Sequence, residues 1–113
     1  MDKTLKFMKD FFENVAVPMT VCDREGNVVY QNAKAVEALG EARGANLQEC
    51  HQAASWAKIQ EMLAAGTTNA YTIEKRGVRK LIYQTPWYEA GEVAGLVEYS
   101  IVLPDNMPHK VRG

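Results

Sequence analysis

The stretch Val17-Pro18-Met19-Thr20-Val21-Cys22-Asp23-Arg24-Glu25-Gly26-Asn27-Val28-Val29-Tyr30-Gln31-Asn32 decides how this chain folds. Pro18 ends any helix arriving from the N-terminal side, because its ring removes a donor and pushes the preceding residue out of the α region. Met19 to Asp23 then alternates, Arg24-Glu25-Gly26-Asn27 supplies turn chemistry, and Val28-Val29-Tyr30 is β-branched and aromatic. The unit reads as a hairpin. Its Gly26-Asn27 pair suits a turn that needs positive φ. Asn32 is positioned as the N-cap of a short helix over 33–39, with Val36 and Leu39 inward and Gly40 at its end.

Upstream, Leu5, Met8, Phe12 and Val15 recur at helical spacing and Phe7 and Phe11 widen the stripe, which predicts an amphipathic helix from Leu5 to Val15. Downstream, Glu41 to Ala54 has few large apolar residues and no period, so it reads as loop with at most a single helical turn. Ser55 is a candidate cap for a longer helix in which Trp56, Ile59, Met62 and Leu63 share a face and Gly66 is the stop. Three strand-like segments follow, Ala70 to Lys75, Arg79 to Tyr88 and Val93 to Leu103, which predict an antiparallel meander. The last alternates with Val93, Gly95, Val97, Tyr99 and Ile101 on one face and Ala94, Leu96, Glu98, Ser100 and Val102 on the other. Both faces are largely apolar, as in a sheet covered on each side. The tail from Pro104 carries no pattern for strand or helix and is expected to be mobile.

With 113 residues, 47% of them hydrophobic, the chain suits one globular domain. Thirteen basic and fourteen acidic side chains are mixed along it, so there is no broad field to hold nucleic acid or an anionic bilayer. Cys22 and Cys50 lack any paired-ligand spacing, and neither a secretory signal nor an apolar run of about 20 residues is present. A reducing, cytoplasmic setting is expected.

The order helix, two strands, short helices, three strands resembles the PAS domain family. The residues that carry the match are Pro18, Val21, Asp23, Gly26, Val28 and Asn32, together with Gly91 and Gly95 ahead of the long final strand. The resemblance implies an α+β fold, a five-stranded antiparallel sheet with helices on one face and a ligand cavity between them. It also implies an N-terminal helix that packs on the other face or on a second subunit. The expected division is an amphipathic helix over 1–16, a PAS-like domain over 17–104 and a tail over 105–113.

Candidate ligand residues follow from that cavity. Cys50 and His51 are the most chemically suggestive pair, since thiolate and imidazole both ligate haem iron. The plainer reading is a surface loop pair. His51 is therefore carried as the candidate iron ligand, haem as the candidate cofactor, and His109 as too remote in the tail to join it. Flavin light sensors of the family carry Gly-x-Asn-Cys, and here the matching run is Gly44-Ala45-Asn46-Leu47, so adduct chemistry is not expected. Trp56, Tyr83, Glu98 and Tyr99 complete the candidate cavity or lid residues. Aromatics on strands are ordinarily packing. Glu98 is more informative, because a carboxylate in mid-strand must be exposed, paired or used by a ligand.

A catalytic set is absent: neighbouring Cys50 and His51 point in different directions, and no Ser-His-Asp set, phosphate loop or carboxylate pair occurs. The expected function is a sensory domain, not an enzyme, that takes a small molecule or cofactor and signals through a homodimer or a separate partner. The Leu5 to Val15 helix or the sheet face is the expected dimer surface. The alternative is a ligand-free interaction module. The chain is expected to be part of a larger signalling protein or to act on a separate output.

Overall fold

The computed structural model describes residues 2–50 and 53–113, the Cys50 side chain excepted. Helix α1 (Lys3–Asn14) precedes strands β1 (Met19–Asp23) and β2 (Val28–Gln31), then helices α2 (Ala33–Leu39), α3 (Leu47–Cys50) and α4 (Ala53–Ala65), and strands β3 (Asn69–Lys75), β4 (Val78–Glu89) and β5 (Glu92–Leu103). The strands form one antiparallel sheet in the order β2-β1-β5-β4-β3. The expected α+β architecture and five-stranded sheet are present.

The order explains where an interior can exist. Consecutive strands β2 and β3 occupy opposite edges, four strand spacings or roughly 19 Å apart. The chain between them has to cross the sheet, and α2, α3 and α4 make the crossing. Beneath it lies the apolar core of Cys22, Ile59, Met62, Leu63 and Leu96, with Leu47, Trp56 and Val93 packed against it.

The opening hairpin forms for the reasons its residues suggest. Gly26 has φ +84°, and the Asp23 carboxylate accepts from Glu25 N at 3.0 Å, Asn27 N at 2.9 Å and Asn27 Nδ2 at 3.2 Å. Burial works to raise the Asp23 pKa, yet these bonds outweigh it and hold the carboxyl below its ordinary value. Asn32 caps α2 by accepting from Ala35 N at 3.0 Å. The same side chain accepts from Met19 N at 3.1 Å and donates to Val17 O at 2.8 Å, fixing the entry to β1.

The segment expected to be loop is held by the hairpin turn. Val28 N donates to Ala45 O, Gly44 N to Val28 O and Leu47 N to Gly26 O, while Asn46 Nδ2 donates to Glu25 O and Asn27 Oδ1. Its one turn of helix, α3, starts at Leu47. Helix α4 begins at Ala53, so Ser55 lies in its first turn and is not its cap. A β-carbon on Gly26 would lie 2.6 Å from the Trp56 ring, so α4 rests on the turn through that contact.

In β4, Pro86 lies beyond the last β3 pair, Asn69 with Gln84, and its missing N–H therefore faces a side of the strand with no partner. Gly95 lets β5 approach β1 so closely that a β-carbon would strike the Cys22 carbonyl, to which Trp87 Nε1 donates at 3.0 Å. Residues 104–113 contain neither helix nor strand. No helix among the described residues is long and apolar enough to cross a membrane.

Candidate functional site

Strand pairing sets the site. Thr20 stands opposite Gln31 and Glu98, Glu98 opposite Gln84, and Gln84 opposite Asn69. One polar row therefore crosses all five strands on the face that α3 and α4 cover. Gln31 at one end is turned to the chain beyond α2, accepting from Ala42 N at 2.7 Å and donating to Gly40 O at 3.3 Å. At the other end Asn69 Nδ2 donates to Gln84 Oε1 at 3.1 Å, and Gln84 Nε2 donates to Glu98 Oε1 at 2.8 Å. Between them the Thr20 hydroxyl is buried without a hydrogen-bond partner among the described residues.

The middle of this row opens into two spaces that share part of their lining. The inner one, about 60 Å³, is lined by Thr20, Cys22, Leu47, Ile59, Gln84, Leu96 and Glu98. The outer one, about 250 Å³, shares Ile59, Gln84 and Glu98 and adds Ser55, Lys58 and Met62 from α4 with Asn69 and Tyr71 from β3. The inner space has room for water, and a buried hydroxyl without a partner is a group that water or a ligand completes. Burial pushes the Cys22 thiol up, with the Asp23 and Glu98 charges adding to it against backbone hydrogen bonds from Leu96 and from its own backbone. Burial and then the Glu98 charge raise the Tyr71 phenol as well. The site has an apolar inner end and a more polar mouth, with a carboxylate where the two meet.

The candidate residues separate. Glu98 lies at the centre of the site. Tyr99, its neighbour on β5, points through the opposite face, and Tyr83, paired with Tyr99, goes with it. This corrects their placement as cavity residues, and the cause is the two-residue period of a strand: Glu98 and Tyr99 cannot line one chamber. Trp56 packs on Gly26 and the core rather than lining the chamber. His51 and the Cys50 side chain lie outside the described residues. Sequence reasoning passed over Thr20, Gln84 and Asn69, whose role comes from register; the signal was three polar residues in otherwise β-forming runs.

The candidate haem ligand His51 lies outside the described residues, so haem stays an expectation. Among the described residues no group of three or more His, Cys, Asp or Glu could hold a metal ion. Leu47, at the position of the flavin-reactive thiol, lines the inner space with a hydrocarbon side chain that cannot attack a flavin ring.

The other face of the sheet lies under α1. Tyr30 donates its hydroxyl to Glu13 Oε2 at 2.9 Å, and Arg43 Nη2 stands 3.9 Å from Glu13 Oε1. Spaces of about 420 and 320 Å³ remain between α1 and the sheet, bordered by Phe11, Phe12, Met19, Val21, Tyr99 and Ile101. No residue of α1 is buried, and Phe7 is 66% exposed and Leu5 59%.

No family profile matches the sequence, and no curated protein matches it. Solved structures do match the fold. A C-terminal domain from Streptococcus mutans superposes with a TM-score of 0.73 at 16% identity, over 87% of this chain and 84% of that one. The PAS domain of an HTR-like protein from Haloarcula marismortui gives 0.63 at 18%, over 89% and 93%. The VqmA dimer of Vibrio cholerae gives 0.66 at 18%, over 98% of this chain and 56% of that one, and VqmA bound to DPO gives 0.64 at 18%, over 89% and 58%.

Proposed function

We propose, from the PAS-like fold of this chain, that it is a sensory domain which takes a small molecule between the sheet and helices α3 and α4 and transmits the occupancy through its sheet to α1. One observation carries the reading: the polar row Thr20, Glu98, Gln84, Asn69 faces the space under α3 and α4, and at its apolar inner end the buried Thr20 hydroxyl is left without a partner among the described residues. A core built only for stability would gain from an apolar group at Thr20, since a buried polar group costs free energy unless paired. A binding site needs what is present, an apolar wall and a few convergent polar groups. VqmA, of similar fold, is a protein found bound to DPO. The chain is not an enzyme in this reading; its output is a change of contact. The signal requires that ligand affinity differ between two states of the protein.

A second reading, a dimerisation module, is favoured by the uncovered apolar side of α1. The two are compatible, with the α1 face as the dimer surface and the chamber as the sensor. The expected setting is the cytoplasm, where the buried free Cys22 stays reduced.

Native mass spectrometry on the full chain tests the sensory reading. The expected spectrum shows a small-molecule mass retained on the protein, and Ile59→Phe, which fills the inner space, removes it while circular dichroism is unchanged. A bare polypeptide mass, together with a thermal midpoint that a low-molecular-weight extract of the expression host does not move, overturns it.

A further inference from the structure

We infer that the chamber is selective for a compact molecule whose deep end carries a cationic or N–H-donating nitrogen, bonded to Glu98; this rests on the sensory reading above. The direction of the polar row leads to it. A carboxylate only accepts hydrogen bonds, so the Gln84 amide facing Glu98 has to present Nε2, which leaves its Oε1 to Asn69. The row thus runs donor to acceptor from β3 inward and ends on Glu98, which has further acceptor capacity and no further hydrogen bond or ion pair among the described residues.

No basic side chain among the described residues forms an ion pair with it. Leu47, Ile59 and Leu96 wall the inner space, and the nearest basic side chain to line the outer one, Lys58, makes no ion pair with Glu98. The Glu98 charge is felt at Tyr71 and at Cys22 on either side. An anion at the deep end would meet this charge at short range in a low-dielectric chamber, and a ligand with acceptors alone would leave the carboxylate unanswered. An amine, amidine or amino-heterocycle completes it, and its second N–H reaches the idle Thr20 hydroxyl opposite Glu98 on β1. The volume agrees: about 150 Å³ holds a benzene ring, and the outer space is about 250 Å³.

Three probes of one size, benzamidine, benzoate and benzene, test this by heteronuclear NMR titration of the full chain. Benzamidine is expected to shift the Thr20, Gln84 and Leu96 signals, with benzoate leaving them unmoved. In Glu98→Gln, which keeps the shape and a partner for Gln84, benzamidine binding falls about tenfold or more. Benzoate or benzene entering where benzamidine does not, or a benzamidine affinity indifferent to Glu98→Gln, overturns the inference and leaves the small-molecule reading standing. If none of the three moves the Ile59 and Leu96 signals, the inference falls, and the mass retained in native mass spectrometry decides the sensory reading.

Discussion

At the scale of single residues, Asn32 shows how one side chain can join a helix, a strand and the linker that leads into the strand. It is fully buried and bonds to Ala35 N, Met19 N and Val17 O, so it caps α2 and anchors the start of β1. Asn32→Ala leaves those groups without partners in a site water does not reach. The free energy of unfolding should fall by about 2–4 kcal/mol, measured by urea denaturation; a loss under 1 kcal/mol would show that the anchoring is dispensable. The capping role was legible in the sequence because N-cap chemistry is local. The bonds to Val17 and Met19 were not, since they join residues thirteen and more positions apart. Glu98 was legible for a different reason: a mid-strand charge has to be accounted for wherever the strand lies. Its partner Gln84 was hidden, because only strand register places the two together.

At the scale of elements, the helices and strands follow local pattern, and the places where pattern fails have non-local causes. The period-free run before α3 is ordered by backbone bonds to the β1–β2 turn, which no window of sequence contains. Tyr83 and Tyr99 were drawn to the chamber by their chemistry, and alternation along the strand sends them to the α1 side. The tie between α1 and β2 has a pH signature. Burial, the hydrogen bond to Glu13 and the Glu13 charge, opposed by Arg43, push the Tyr30 phenol up to about 12 from an ordinary 10. Between those values the unfolded chain gives up its proton first, so folding stability is fully present below pH 10 and is lost as pH rises toward 12. Tyr30→Phe should flatten this alkaline decline in thermal midpoint relative to wild type. An identical decline in the two proteins would remove Tyr30 as its source.

At the scale of the whole molecule, the exposed side of α1 is the feature that one chain leaves unexplained. A helix of 12 residues is marginal in water unless it packs, and here Leu5, Phe7, Met8, Phe11 and Phe12 all remain exposed. A second copy laying the same stripe against this one would supply the missing cover, as symmetric dimers do. Sedimentation of the full chain should therefore report a dimer, and Phe7→Glu with Phe11→Glu should convert it to a monomer with its sheet intact by circular dichroism. A wild-type monomer at high micromolar concentration would contradict this arrangement.

The polar row has one more consequence, which concerns how the chain finds its own alignment. Alternation of apolar and polar residues forbids a strand from slipping by one position, since that turns every side chain to the wrong face. It does not forbid a slip of two, which keeps the faces. Here such a slip of β5 would set Glu98 opposite Cys22 or Pro18 on one side and Ile82 or Pro86 on the other, stranding a carboxylate among side chains that donate weakly or not at all. A rung that weakens the core in the native alignment thereby weakens the neighbouring alignments more, and the five strands lock in the single register that leaves the chamber open.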